Sequence, residues 1–228
     1  MVEFVVLSIG GSLINPGEPD TDFLEKIASL LKKMPYRFGL VCGGGKVARH
    51  YAKAVRDLKG NEFEADETAV ISTKQNARLL IAALGKEAYP TVMNDFEKAG
   101  EVACNEKVKF IVMGGTIPGI TTDTDAVLLA EKLRAKRVIN LSNVDGIYDS
   151  NPKENPKAKK YDAMSFDQLV ELANRSDQRK AGTNFVFDVM ACKLIARSKI
   201  ETHFVNGKNL KDVEKAINGE KHSGTIVK

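Results

Sequence analysis

The fold is decided first by an almost continuous apolar run, VEFVVLSI at residues 2–9, which stops at GGS, residues 10–12. A strand that is apolar on both faces is typical of a buried parallel sheet, whereas a half-exposed strand would alternate with polar residues. The two glycines then allow the chain to turn sharply. This segment therefore predicts a buried parallel strand that ends in a glycine turn.

The same unit of strand, glycine turn and helix recurs along the chain. FGLVC at 38–42 precedes GGG at 43–45, and FIVM at 110–113 precedes a glycine-rich loop. Further strands are predicted at 137–141, 202–205 and 225–227. Helices are predicted after the glycines at 43–45, through Ala48, Tyr51, Ala52 and Val55, and at 23–31, 66–84, 125–133, 166–173, 185–198 and 210–217. This alternation predicts an α/β fold with a mainly parallel central sheet sandwiched by helices.

The 228 residues are expected to form a single domain. Ligands of open α/β sheets bind at the carboxyl ends of the strands. We therefore place a boundary between two lobes near residues 116–124, with an N-terminal lobe at 1–120 and a C-terminal lobe at 121–228.

Composition places the chain among ordinary globular proteins, with 43% hydrophobic and 28% charged residues. No apolar run approaches the roughly 20 residues that span a bilayer, so we expect a cytoplasmic protein without a membrane partner. The net charge of +4 is small and scattered, which argues against a nucleic-acid partner. The cysteines, at 42, 104 and 192, are odd in number and far apart, which disfavours a disulfide framework or zinc site and predicts small buried side chains.

Glycine clusters stand at three predicted strand ends, at 10–11, 43–45 and 114–119. Backbone N–H groups at such turns approach an anion closely, and the N-terminus of a following helix favours phosphate, although glycine also simply reverses a chain. The spacing matches neither the P-loop nor the dinucleotide fingerprint. A lysine cluster predicts either a solvated loop or a basic flap beside nucleotide phosphates; its members are Lys153, Lys157, Lys159 and Lys160.

Four motifs, in this order, resemble those of the amino acid kinase family. They are SIGGS at 8–12, CGGGK at 42–46 with Arg49, GGT at 114–116 followed by TTD at 121–123, and SNVDGIY at 142–148. The resemblance covers essentially the whole chain. Within the family, the TTD and NVDG runs and AGT at 181–183 ahead of Asp188 are most similar to the short archaeal UMP kinases.

The resemblance implies an amino acid kinase-like fold and transfer of the γ-phosphoryl group of ATP to UMP, in pyrimidine nucleotide synthesis. It also implies that ATP is used with Mg²⁺. Members of the family are usually hexamers, so a homo-oligomer is expected.

The resemblance implies a UMP site in the N-terminal lobe. Arg49 lies where its guanidinium can bind phosphate oxygens in a bidentate manner. Asp66 would accept hydrogen bonds from the ribose hydroxyls, although its place before an apolar helix equally fits a helix N-cap. The implied UMP-binding residues are Gly44, Asp66, Gly115, Thr116, Ile117, Pro118, Gly119, Ile120, Thr121 and Thr122.

The resemblance also implies an ATP site in the C-terminal lobe. Tyr148 either stacks against adenine or serves as a core aromatic residue. Asn151 stands where the family usually has aspartate, which affects one contact to the ribose or base. The implied ATP-binding residues are Ser8, Ile9, Gly10, Gly11, Ser12, Gly45, Arg49, Ser142, Asn143, Tyr148 and Asn151.

The predicted catalytic residues are Asp123, Lys46 and Arg49. Asp123 is implied to organise the reacting centre, where a carboxylate beside polyphosphate requires a basic side chain or a Mg²⁺ ion as its partner. Asp123 also fits an N-cap of the helix that follows, as do Thr122 and Thr124.

The chain departs from the family pattern at two positions near this centre. Most members place a lysine where this chain has Ser8, and phosphoryl transfer depends on such positive charge. Lys46 is predicted to replace it, because a lysine in the first turn of a helix opposes the helix dipole and is better explained by an anion nearby; otherwise it is a surface lysine. Asp125 occupies a position where related enzymes carry a small residue.

Two other functions remain open from the sequence. Isopentenyl phosphate kinases share the fold but use a histidine four residues past the triple glycine, where this chain has Arg49. A non-catalytic protein that stores nucleotides or oxyanions, similar to the molybdate storage proteins, is compatible with the missing lysine at Ser8. His50, His203 and His222 match no ligand or triad spacing and receive no role.

Overall fold

A computed structural model of the protein describes residues 2–105, 107–152, 154–177 and 187–228. The strands are β1 (Phe4–Ile9), β2 (Arg37–Cys42), β3 (Phe110–Met113), β4 (Arg137–Ser142), β5 (Ile147–Tyr148), β6 (Lys160–Tyr161), β7 (Ala163–Met164), β8 (Thr202–Asn206) and β9 (Thr225–Val227). The helices are α1 (Gly11–Ile14), α2 (Thr21–Lys33), α3 (Gly45–Asp57), α4 (Glu62–Leu84), α5 (Phe96–Asn105), α6 (Thr122–Leu133), α7 (Phe166–Asp177), α8 (Val189–Ser198) and α9 (Leu210–Asn218).

Strand β1 lies inside a seven-stranded sheet of order β3-β2-β1-β4-β8-β9-β7. It pairs in parallel with β2 on one side and with β4 on the other. Within the sheet, β8 and β9 are antiparallel, and the other neighbouring strands are parallel. The predicted mainly parallel sheet is thus confirmed, and β5 and β6 form a separate antiparallel ribbon.

Helices cover both faces of this sheet, as the two-sided apolar character of β1 predicts. Leu7 belongs to a buried cluster that includes residues of α2, α4 and α9. Its neighbour Val6 faces the opposite way, into a cluster that includes residues of α5 and α6. Because successive strand residues point to opposite faces, both faces of β1 are buried and the predicted sandwich of helices is confirmed.

Two helices begin earlier than the apolar pattern predicts, because side-chain caps extend them. Asn61 caps α4 by accepting a hydrogen bond from the Glu64 amide at 3.0 Å, and the Glu64 carboxylate accepts one from the Asn61 amide at 2.8 Å. The N-cap interpretation of Asp66 is therefore wrong, since Asp66 lies inside α4. Thr121 caps α6, so the capping interpretations of Thr122, Asp123 and Thr124 are wrong too.

Three further features differ from or bear on the predictions. Helix α5 was not predicted from its pattern. Cys42 and Cys192 are buried as expected, but Cys104 is exposed on α5, so the prediction was wrong for that residue. Among the residues that the structure describes, no helix combines the length and apolar character needed to cross a membrane.

Candidate active site

The turns that end β1 and β2 pack directly against each other. A Cβ added at Gly11 would lie 2.0 Å from the amide nitrogen of Gly45 and 2.6 Å from the carbonyl carbon of Gly43. Gly45 also has a φ of +70°, which side chains rarely permit. These glycines are therefore needed for close backbone approach, and they bring two of the predicted clusters together beside the N-terminus of α3.

The same turn is joined to the end of β4. The amide of Gly10 donates a hydrogen bond to the carbonyl oxygen of Leu141 at 2.8 Å. Ile9 is buried in β1, and Ser12 lies in the short helix α1 that follows the turn. The carboxyl ends of β1, β2 and β4 thus form one edge, which is where ligands of open α/β sheets bind.

Asp123, in the first turn of α6, meets two polar side chains at this edge. Ser8 Oγ donates a hydrogen bond to Asp123 Oδ1 at 2.8 Å, and Asn140 Nδ2 donates to the same oxygen at 3.3 Å. Ser8 on β1 and Asn140 on β4 are register partners. Ser8 therefore gives Asp123 a hydrogen bond but no positive charge.

Two carboxylates shape the electrostatics around Asp123. Burial raises the pKa of Asp123 to about 7; the hydrogen bond from Ser8 lowers it, and the charge of Asp188 raises it further. Asp188 caps α8 by accepting a hydrogen bond from the Ala191 amide at 2.8 Å. Within the described ranges, no lysine or arginine forms an ion pair with Asp123 or Asp188.

Threonine hydroxyls connect α6 to Asp188. Thr124 Oγ1 donates a hydrogen bond to Asp188 at 3.0 Å, and Thr121 Oγ1 donates another. Thr121 Oγ1 also accepts a hydrogen bond from the Thr124 amide at 3.2 Å. The amides of Thr122 and Asp123, in the first turn of α6, have no partner within the helix, and such groups favour an anion.

The glycine-rich loop that follows β3, residues 114–121, is attached to α4. The amide of Gly115 donates a hydrogen bond to Thr73 Oγ1 at 2.6 Å, and the amide of Gly119 donates one to Asp66 Oδ2 at 3.0 Å. Gly119 has a φ of +86°, which explains glycine there. Ile117 at the loop tip is exposed, while Thr116, Pro118 and Ile120 are partly exposed. Residues 116–120 of this loop are therefore accessible, whereas Gly115 is buried.

Lys46 and Arg49 are both exposed on the first two turns of α3. Their side chains make no hydrogen bond or ion pair with any residue that the structure describes. Gly44, which precedes them, is the N-cap of α3 and carries no capping side chain. Two unpaired cations therefore stand beside the paired glycine turns.

The segment after β4 carries the predicted ATP-side residues. Ser142 Oγ accepts a hydrogen bond from the Val144 amide at 3.3 Å, and Asn143 is exposed. Tyr148 lies in β5 and is partly exposed, and Asn151 Nδ2 donates a hydrogen bond to Glu154 at 2.8 Å. Burial raises the pKa of the Tyr148 phenol. Because Tyr148 retains an accessible part, it is available to a ligand.

Some residues fall outside the predictions or outside the described ranges. Thr73 and Asn140 have no predicted role, although the asparagine within the apolar strand VINLS is a signal for the latter. Lys153 of the basic cluster and the AGT motif at 181–183 lie outside the described residues.

The fold and this edge define the class to which the protein belongs: an enzyme for phosphoryl transfer, with closely packed glycine turns, two cations that have no partner among the described residues, and a carboxylate at one end of a parallel sheet. Residues 3–206 match the sequence model of the amino acid kinase family, and the chain belongs to this family.

Individual relatives agree with this assignment. The chain is 48% identical over 225 residues to the uridylate kinase of Thermococcus kodakarensis, with 98% of each chain covered. The crystal structure of the uridylate kinase from Archaeoglobus fulgidus is similar, with a TM-score of 0.83 and 40% identity over 98% of this chain and 99% of that one. The UMP kinase of Bacillus anthracis, with a TM-score of 0.81 at 21% identity over 99% and 95% of the two chains, shares the fold.

Proposed function

We propose that the protein is a UMP kinase, which transfers the γ-phosphoryl group of ATP to UMP and yields ADP and UDP for pyrimidine nucleotide synthesis. The observation that carries the proposal is the meeting of the paired glycine turns with Asp123 at one edge of the sheet. Relatives named as uridylate kinases, matched over nearly their whole length, support it.

The N-terminal lobe, residues 1–120, supplies the acceptor site in this proposal. The UMP phosphate lies near Gly44 and Arg49, whose exposed guanidinium is free to form a bidentate pair with phosphate oxygens. Asp66 uses Oδ2 to hold the loop amide of Gly119, which leaves Oδ1 for the ribose hydroxyls. Residues 115–122 wrap the nucleotide.

The C-terminal lobe, residues 121–228, supplies most of the donor site. Ser142, Asn143, Tyr148 and Asn151 contact the adenosine. The triphosphate lies on the backbone of Gly10, Gly11 and Gly45, together with Ser8, Ile9 and Ser12. Close backbone approach at these turns is the physical reason for this placement, because N–H groups without intervening side chains reach phosphate oxygens.

The chemistry consists of positioning and electrostatic stabilisation, as in phosphoryl transfer generally. Lys46 supplies the positive charge that Ser8 lacks. Asp123 Oδ2 makes no hydrogen bond with the described residues, so it can bind a cation. In the described ranges no cluster of three or more protein ligands is arranged for a metal. Mg²⁺ would arrive with ATP, because Mg²⁺ usually takes one or two carboxylates plus substrate phosphates.

We also propose a cytoplasmic homohexamer. Large apolar side chains are exposed on α3, at its C-cap and on α4, and exposed apolar patches mark interaction sites in soluble proteins. They are Tyr51, Leu58, Phe63 and Ile71. Light scattering of the purified protein gives the assembly size, and charged substitutions at Phe63 and Ile71 should reduce it.

The function is tested by measuring turnover with ATP and Mg²⁺ on a panel of acceptors. UMP should exceed CMP and AMP at least about tenfold in kcat/KM, because a site built for the N3–H and carbonyls of uracil leaves polar groups unpaired with other bases. Comparable turnover of AMP would contradict this specificity.

The same panel separates the two alternatives. Preferential phosphorylation of isopentenyl phosphate would assign the protein to that kinase activity instead. Absence of turnover with every acceptor, combined with retained binding of ATP and molybdate, would support a storage function.

A further inference from the structure

Asp125 is a buried carboxylate that the proposed chemistry does not use. It lies on α6 with 0% of its surface exposed, at a position where the family pattern has a small residue. Burial raises the pKa of Asp125 to about 6. The hydrogen bonds from Thr116 and the charge of Lys74 lower this pKa, and the charge of Asp188 raises it. A carboxylate in such a place is unfavourable unless its oxygens are hydrogen-bonded.

Both oxygens of Asp125 hold one residue of the glycine-rich loop. Oδ1 accepts a hydrogen bond from Thr116 Oγ1 at 2.6 Å, and Oδ2 accepts one from the Thr116 amide at 3.1 Å. The preceding residue, Gly115, is held from the other side by Thr73 of α4 at 2.6 Å. The start of the loop is therefore fixed between two helices, through the backbone as well as a side chain.

This bidentate contact acts on the loop rather than on the core. Thr116 is partly exposed and stands first in the accessible stretch 116–120. Holding a loop in its bound conformation before the ligand arrives reduces the entropy lost on binding. A small residue at 125 would leave the Thr116 amide and hydroxyl to find other partners.

We propose that Asp125 is a positioning residue that fixes Thr116 and thereby sets the affinity of the loop for the nucleoside monophosphate acceptor. The inference rests on the proposed function, because it takes the loop as the acceptor site. It predicts that changes at Asp125 affect the acceptor and leave ATP almost unaffected.

The test compares Asp125→Ala, which restores a small residue, with Asp125→Asn. Alanine should raise the calorimetric Kd and the KM for UMP about tenfold, while the KM for ATP stays within about twofold. Asparagine should recover most of the affinity, because its carbonyl can accept from the Thr116 amide and its amino group can donate to Thr116 Oγ1.

A double-mutant cycle with Thr116→Val examines the coupling directly. If the two residues act through each other, Asp125→Ala combined with Thr116→Val should be no worse than the weaker-binding single variant. The matched control is Asp212→Ala, which removes another buried carboxylate. Asp212 lies on α9 and accepts hydrogen bonds from Asn209 and Ser223, which lie outside this helix. This variant should leave the Kd for UMP unchanged even if the melting temperature falls.

Several outcomes would overturn the inference. They are an unchanged UMP affinity in Asp125→Ala, equal losses for UMP and ATP, additive effects of Asp125→Ala and Thr116→Val, or no recovery in Asp125→Asn. A parent enzyme that fails to phosphorylate UMP would refute the proposed function instead, so the two failures are distinguished before any variant is made.

Discussion

Replacing Asp123 with asparagine should stabilise the folded protein increasingly as the pH rises, while reducing activity. The pKa of Asp123 is raised to about 7 in the folded protein, chiefly by burial, and an unfolded aspartate titrates near 3.9. Between these values the folded state binds more protons than the unfolded state. The free energy of unfolding of the parent therefore decreases as the pH rises through this window.

The magnitude follows from the difference between the two pKa values. A pKa difference of roughly 3 between the two states corresponds to about 4 kcal/mol in the free energy of unfolding, at 1.36 kcal/mol per unit. This value is an upper bound, because Asp123 is partly exposed to solvent. Asparagine keeps the contacts, since Ser8 and Asn140 both donate to Oδ1, which the amide oxygen can replace. Removing the charge should thus increase the free energy of unfolding without loss of these hydrogen bonds.

Urea unfolding at pH 5, 6, 7 and 8, at one protein concentration, measures the effect. The difference in the free energy of unfolding between Asp123→Asn and the parent should grow by at least about 1 kcal/mol from pH 5 to pH 8. The control is Asp22→Asn, whose exposed carboxylate pairs with Lys26 and should show no such growth. A difference that is constant with pH would refute the argument, because it would mean that Asp123 titrates at an ordinary pKa.

Three further predictions concern charges elsewhere in the molecule. Lys46→Ala should lower kcat about a hundredfold, or roughly 3 kcal/mol, with a smaller effect on ATP binding; a kcat within threefold of the parent would make Lys46 a surface lysine. Arg49→Ala should raise the KM for UMP in steady-state assays without lowering the melting temperature, because its exposed side chain has no partner among the described residues. Burial lowers the pKa of His222 to about 4, aided by His203, so the stability that it contributes is complete above about pH 6.5 and decreases by up to about 1.4 kcal/mol per unit towards pH 4. In urea unfolding, the free energy of unfolding of His222→Gln should depend less on pH in this range than that of the parent. An unchanged slope against pH would contradict the prediction.

His222 also illustrates what the sequence could not indicate. Its Nδ1 accepts a hydrogen bond from the Gly224 amide at 3.0 Å, and its Nε2 lies 2.8 Å from His203 Nδ1. On the other side of the His203 ring, Glu201 Oε1 lies 2.9 Å from Nε2. No ligand spacing marks these residues, because their contact arises from the pairing of β8 with β9 and the turn that precedes β9.

Much of the fold was predictable because the local spacing of apolar residues indicates which faces of a strand or helix are buried. The apolar runs of β1, β2 and β3, each followed by glycines, predicted buried parallel strands with turns at one edge, and these strands lie side by side. Helix starts were less predictable, since a cap such as Asn61 or Thr121 adds a turn ahead of the apolar residues. The glycine and TTD motifs also predict the family from sequence alone.

The sequence by itself determined the strands, the glycine turns and the membership of the amino acid kinase family. Only the tertiary structure decided that Ser8 bonds to Asp123 across 115 residues of chain and that Asn140 joins them. It also decided that Asp125 of α6 holds Thr116. The physical reason is that residue spacing records which face of an element is buried, whereas these hydrogen bonds depend on sheet register and on how α6 packs across the strand ends.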